Sequence, residues 1–140
     1  MNSPDRVSYF YSVLRLVPRV ERGECFNVGV AMLSRSRRFL AVRTDLDEEK
    51  LAVLAPGVHP EIIREQLVAL ETVAAGDPAA GPMAALEPAE RFHWITSPSS
   101  TIIQPSPVHS GLTTDPQLTL DRLFNELVGP VERALDDQMK

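Results

Sequence analysis

Two polar stretches hold the residues best able to do chemistry. The first runs from Arg15 to Gly29, and Arg15 stands in the middle of an otherwise apolar run from Val13 to Val17. Burying an unpaired guanidinium is costly, so this side chain needs a partner or a cleft. Arg22, Glu24 and Asn27 lie in and just after the following turn, where a hairpin can bring them back beside Arg15. An arginine, a carboxylate and an amide together can bind an anion or fasten a loop. The plainer reading is that Glu24 pairs with Arg15 or Arg22 and holds the hairpin, because structural ion pairs cluster in the same way. Cys25 reads as a small filler beside the turn, with no CxxC and no histidine at metal spacing near it.

The second stretch runs from Ser97 to Gly111. Its candidates are Ser99, Ser100, Thr101, Gln104 and His109. Hydroxyls and loop amides can cradle a phosphate or a carboxylate. His109 can serve as a general acid or base if it has a partner. The segment contains no glycine-rich phosphate loop and no G-x-S-x-G elbow. The plainer reading is a loop whose hydroxyls cap their own turns. His59 reads as a helix-entry residue before Pro60, and His93 as a packing neighbour of Trp94. The three histidines show no i, i+4 pairing, so no metal and no cofactor is expected. Asp45, Asp47, Glu48 and Glu49 suit a helix N-terminus without any metal.

Both stretches need elements to position them. Residues 7–17 are aromatic and β-branched and stop at Pro18, which predicts a strand, apolar on both faces and covered on both sides. Residues 26–33 predict a second strand. Strict alternation puts Phe26, Val28, Val30 and Met32 on one face, and Asn27, Gly29 and Ala31 on a small face that something must approach closely. Residues 38–43 predict a third strand, completing an antiparallel meander. The residues from Thr44 to Asp47 resemble a capping box for a short helix that ends near Leu54. Pro60 opens a longer helix with a stripe of Ile62, Ile63, Gln66, Leu67, Leu70 and Val73, closed at Gly76. An irregular linker is expected at about 76–89. Alternation of Phe92, Trp94 and Thr96 favours a short strand at 90–96, with a short edge strand at 101–104 and a loop from Pro107 to Thr114. Asp115 and Pro116 start a last helix with its stripe on Leu120, Leu123, Phe124, Leu127 and Val131, interrupted at Gly129-Pro130. The tail at 130–140 reads as prone to fray.

The expected fold is therefore α+β, one domain over 1–140: an antiparallel sheet of three to five strands packed with two or three helices. At 140 residues and 44% hydrophobic, the chain can build one real core. Its longest apolar run is far short of a membrane span, and no secretory leader opens the sequence. One cysteine cannot staple the chain, which suits a reducing cytoplasm. The net charge of −5 disfavours nucleic acid, although Arg35, Arg37, Arg38 and Arg43 make the second hairpin locally basic.

Certain segments resemble a known family. They are Tyr9 to Arg15, Arg22 to Glu24, Asn27 to Val30, Arg91 to Thr96, Ser99 to Gly111, and Asp115-Pro116 with Leu120 to Phe124. Together they resemble an uncharacterised bacterial family catalogued as domain of unknown function 3037, over about residues 8 to 128. The resemblance carries no activity. It implies a possible protein partner of the kinase-like kind, because members are often encoded beside such a protein. No role carries over to the middle, about 45 to 89. The first expectation for function is a protein-interaction or regulatory module, with the kinase-like protein as the partner the resemblance implies. The alternative is a small-molecule or nucleotide-phosphate binding domain, with or without enzymatic activity. It would use both polar stretches and requires them to converge on one cleft.

Overall fold

The computed structural model describes residues 5–98 and 102–129. The chain is α+β, with a five-stranded antiparallel sheet at its centre. Strand β1 (Val7–Leu16), β2 (Phe26–Ser34) and β3 (Phe39–Thr44) form the expected meander. Helix α1 (Glu48–Leu54) and the longer α2 (Pro60–Ala75) follow, then a 3-10 segment (Pro78–Ala85) and α3 (Pro88–Ile95). Strands β4 (Ile103–Pro105) and β5 (His109–Thr113) lie end to end along the free side of β1, and α4 (Pro116–Leu127) closes the described chain. β1 is thus central, with β2 on one side and β4 and β5 on the other.

The sheet is covered on both faces. Leu14, Leu16, Ala31 and Leu33 meet Leu51 of α1, Ile63 and Leu67 of α2, and Phe92 and Ile95 of α3 in the larger core. On the opposite face Tyr9, Val30 and Met32 meet Leu120 and Leu123 of α4. This second cover is partial, because α4 lies over β2 and β3. No helix among the described residues is long and apolar enough to cross a membrane.

Local chemistry accounts for the element ends. Asp47 caps α1 by accepting the amides of Glu49 and Lys50, so the cap sits one turn later than the Thr44 expected, which instead ends β3. Pro60 stands in the first turn of α2, and Gly76 ends the helix in the left-handed region at φ 69°. The linker expected at 76–89 is wound into short 3-10 turns, broken where Gly81 takes φ 77°.

Three readings are corrected. Residues 90–96 are helical, not a strand: Pro88 opens α3, and Phe92 and Ile95, three apart, are buried while Trp94 stays half-exposed. The alternation of Phe92, Trp94 and Thr96 was coincidental. Residues 109–113 are strand, not loop, because they pair with β1 from Val7 to Tyr11. The two misread segments are α3 and β5. The alternation expected in β2 is also broken. Leu14 pairs with Gly29 but Arg15 with Asn27, so Val28 is an extra, bulged residue. The bulge puts Val28 in the larger core and turns Asn27 to the α4 face, with Val30 and Met32. The close approach expected at Gly29 is real: a Cβ there would lie 3.0 Å from the Arg43 carbonyl oxygen and 3.2 Å from Leu14 Cδ1.

Candidate functional site

The bulge brings part of the predicted site together. Asn27, Arg15 and Gln104 occupy one row across β2, β1 and β4, on the α4 face. Arg15 is half-buried, and its guanidinium has no hydrogen bond or ion pair among the described residues. The partner expected from the hairpin is absent because Glu24 belongs to Arg22. Arg22 Nε donates to Glu24 Oε1 at 2.6 Å on the exposed turn. That bond and its charge hold the Glu24 carboxyl below its ordinary range. The Asn27 amide donates to the Leu127 carbonyl at 2.8 Å and so caps the end of α4. Arg15 is the strand partner of Asn27 on this face.

His109 lies on the same face, its ring 5.2 Å from that of Tyr11. Tyr11 stands four residues before Arg15, about 13 Å along the strand. Ser99, Ser100 and Thr101 lie outside the described residues. The polar stretch therefore divides. Gln104 and His109 sit on the α4 face, while Ser97 and Pro98 line a hollow on the other face, beside Leu14 and Ile103. Ser106, within the same stretch, is consumed by the fold. Its hydroxyl accepts the Val13 amide at 2.8 Å, and its carbonyl accepts the Ser12 hydroxyl at 2.8 Å. No group of histidine, cysteine or acidic residues could hold a metal among the described residues.

A broad apolar concavity lies elsewhere. α2, the 3-10 segment and α3 enclose a groove of about 820 Å³, lined by Val68, Thr72, Ala80, Met83, Leu86 and Trp94 among others. The hollow beside Ser97, about 350 Å³, adjoins it and shares Ala69 and Trp94. Three large apolar side chains stand open here: Val68 is 56%, Trp94 48% and Leu86 39% exposed. Arg91 fixes the groove's frame. Its Nη1 donates to the Val73 and Ala74 carbonyls at 2.8 Å each, and its Nε to the Leu86 carbonyl at 3.0 Å. One guanidinium thus ties the end of α2, the 3-10 segment and α3 together, at a helix terminus that favours positive charge.

The groove's edge is acidic. Glu65 lines it, and Glu90 lies one helical turn before Trp94. Neither carboxylate is in an ion pair among the described residues. The nearest cation on α2, Arg64, is held by Glu48 and Glu61.

Sequence reasoning missed this surface for two reasons. α3 was read as a strand, which hid the helical face that carries Trp94. Val68 also falls outside the apolar stripe of α2. An exposed valine in the middle of a helix was the available signal.

Comparison with known proteins gives one match. No curated protein and no solved structure matches the chain. The model of a family described as protein of unknown function, DUF3037, matches residues 11–128, which span β1 through α4. The chain belongs to the DUF3037 family.

Proposed function

We propose that this chain is a protein-interaction or regulatory module that takes an amphipathic segment of a partner protein into the groove beside Trp94. The observation that carries the reading is the exposure of Val68, Leu86 and Trp94 around one apolar groove on a frame fixed by Arg91. Fully burying an apolar side chain of this size is worth about 1.5–3 kcal/mol. A central aromatic flanked by aliphatics is the usual make-up of an interface anchor. Glu65 in the groove lining and Glu90 one helical turn from Trp94, neither in an ion pair among the described residues, favour a segment with lysine or arginine flanking its apolar residues. The kinase-like protein implied by the family resemblance is the first partner to test. The reading is of a cytoplasmic protein, whose exposed Cys25 remains a thiol.

The test is co-purification of the full chain with a kinase-like protein of the kind that the family resemblance implies. A complex at micromolar concentration, weakened at least tenfold by Val68→Glu, supports the reading. A complex that Val68→Glu leaves untouched, or no complex at about 10 μM, opposes it.

A second reading rests on a separate observation, the guanidinium of Arg15, without an ion pair among the described residues, between two amide-bearing neighbours. In that reading the row binds the phosphate or carboxylate of a small molecule or nucleotide. Thermal-shift screening with nucleotides and phosphosugars tests it. A true ligand at a hundred times its Kd stabilises by about 2.7 kcal/mol, and Arg15→Met abolishes the shift.

A further inference from the structure

We infer that β5 is a self-pairing edge, through which two copies of this chain join antiparallel to make one continuous sheet. The argument starts from backbone direction. Ser106 N–H donates to the Val13 carbonyl, and Val17 N–H to the Ile102 carbonyl, so odd-numbered residues of β1 turn their polar groups toward β4 and β5. The Ser8 carbonyl faces the other way and accepts the Ser34 hydroxyl. Tyr11 with His109 and Tyr9 with Gly111 are then the bonded pairs. Ser110 and Leu112 point their amides and carbonyls outward, at the edge of the sheet.

The two edges of the sheet differ in how they are protected. β3 carries charge: Arg38 precedes it and bonds Glu87 at 3.0 Å, and Arg43 within it bonds Asp121 at 2.9 Å. Charge on an edge strand discourages pairing with another chain. β5 has none. From Phe92 to Thr114 the sequence contains no Asp, Glu, Lys or Arg. Leu112 on this strand is 57% exposed.

A second copy suits this edge because the strand complements itself. With the twofold axis at Gly111, Ser110 faces Leu112 of the second copy and His109 faces its Thr113. No formal charges oppose, and each Ser110–Leu112 pair exchanges two backbone bonds, about four in all. Leu112 lies diagonal to Leu112 of the second copy, within side-chain reach, which gives the exposed leucine a partner. The interface is isologous and closes at two copies.

Sedimentation velocity on the full chain, with amide exchange, tests this inference. The expected result is a dimer at about 100 μM, a short-interface affinity, with the Ser110 and Leu112 amides protected only in the dimer. Ser110→Pro removes an outward N–H without touching the ladder to β1, and Leu112→Lys adds charge to the edge. Either should give a monomer with unchanged circular dichroism, while Trp94→Ala should leave the dimer intact. A wild-type monomer overturns the inference. So does a dimer that survives Leu112→Lys, or one lost only on Trp94→Ala, which would place self-association in the groove.

Discussion

Removing the Ser106 hydroxyl should destabilise the fold more than a surface serine ever would. Between the Leu14–Pro105 and Tyr11–His109 pairs, β1 has two residues, Ser12 and Val13, where the facing chain has three. The extra residue breaks the ladder, and the Val13 amide donates to the Ser106 side-chain hydroxyl where a backbone carbonyl would ordinarily accept it. Ser12 is 0% and Ser106 4% exposed, so water cannot replace that hydroxyl. Ser106→Ala leaves the Val13 N–H without an acceptor, which costs about 1–3 kcal/mol for a buried group. It also removes the hydroxyl contact with Ser12 at 3.3 Å. The expected total is about 2–3 kcal/mol. At this chain length that lowers Tm by roughly 6–10 °C. Urea unfolding should show a lower midpoint with an unchanged slope. Ser12→Ala, which removes the donor to the Ser106 carbonyl and the longer contact with the Ser106 hydroxyl, should cost about 1 kcal/mol. A Ser106→Ala penalty under about 0.5 kcal/mol would refute the reasoning, because the hydroxyl would then not be completing the ladder.

Gly111→Ala should destabilise by about 1–3 kcal/mol, since its Cβ would lie 2.5 Å from Tyr9 Oη; calorimetry should show the loss, and Tyr9→Ala in the same chain should make the added Gly111→Ala nearly neutral. Arg15→Met should change stability by less than about 1 kcal/mol by urea unfolding, because no ion pair among the described residues is broken and the aliphatic packing is kept; a larger loss would contradict that. Glu24 should titrate below the ordinary glutamate range, and Arg22→Ala should raise it, as followed by carboxyl NMR. Its folded-state pKa is depressed, so its contribution to stability is present above the unfolded value and is lost as pH falls through the folded one. An unmoved Glu24 titration in Arg22→Ala would contradict that pairing.

Strands β1 to β3 and helices α2 and α4 were legible because their signals are local and agree: β-branched and aromatic runs, a helical stripe, prolines at first turns, Gly76 at a C-terminus. β5 was not, because its five residues include an exposed serine and a glycine and become a strand only by pairing with β1, about a hundred positions earlier. α3 was lost because eight residues show both periods, and Pro88 as a first-turn signal was passed over. The Val28 bulge has no local signature, yet it decides which face carries Asn27. Arg15 was rightly singled out as odd, but its isolation from the hairpin carboxylates follows from Arg22 lying two residues from Glu24 on the same short turn. The groove needed three segments in contact, and no single window of sequence contains it.

The groove reading has a built-in reporter, because Trp94 is the only tryptophan of the chain and stands 48% exposed at the groove. Titrating the full chain with a tryptophan-free peptide that carries the partner's basic amphipathic segment should shift Trp94 emission to shorter wavelength and suppress its quenching by acrylamide, saturating in the micromolar range. Binding that leaves both the emission and the quenching of Trp94 unchanged would contradict the account, because the partner would then be docking somewhere other than this groove.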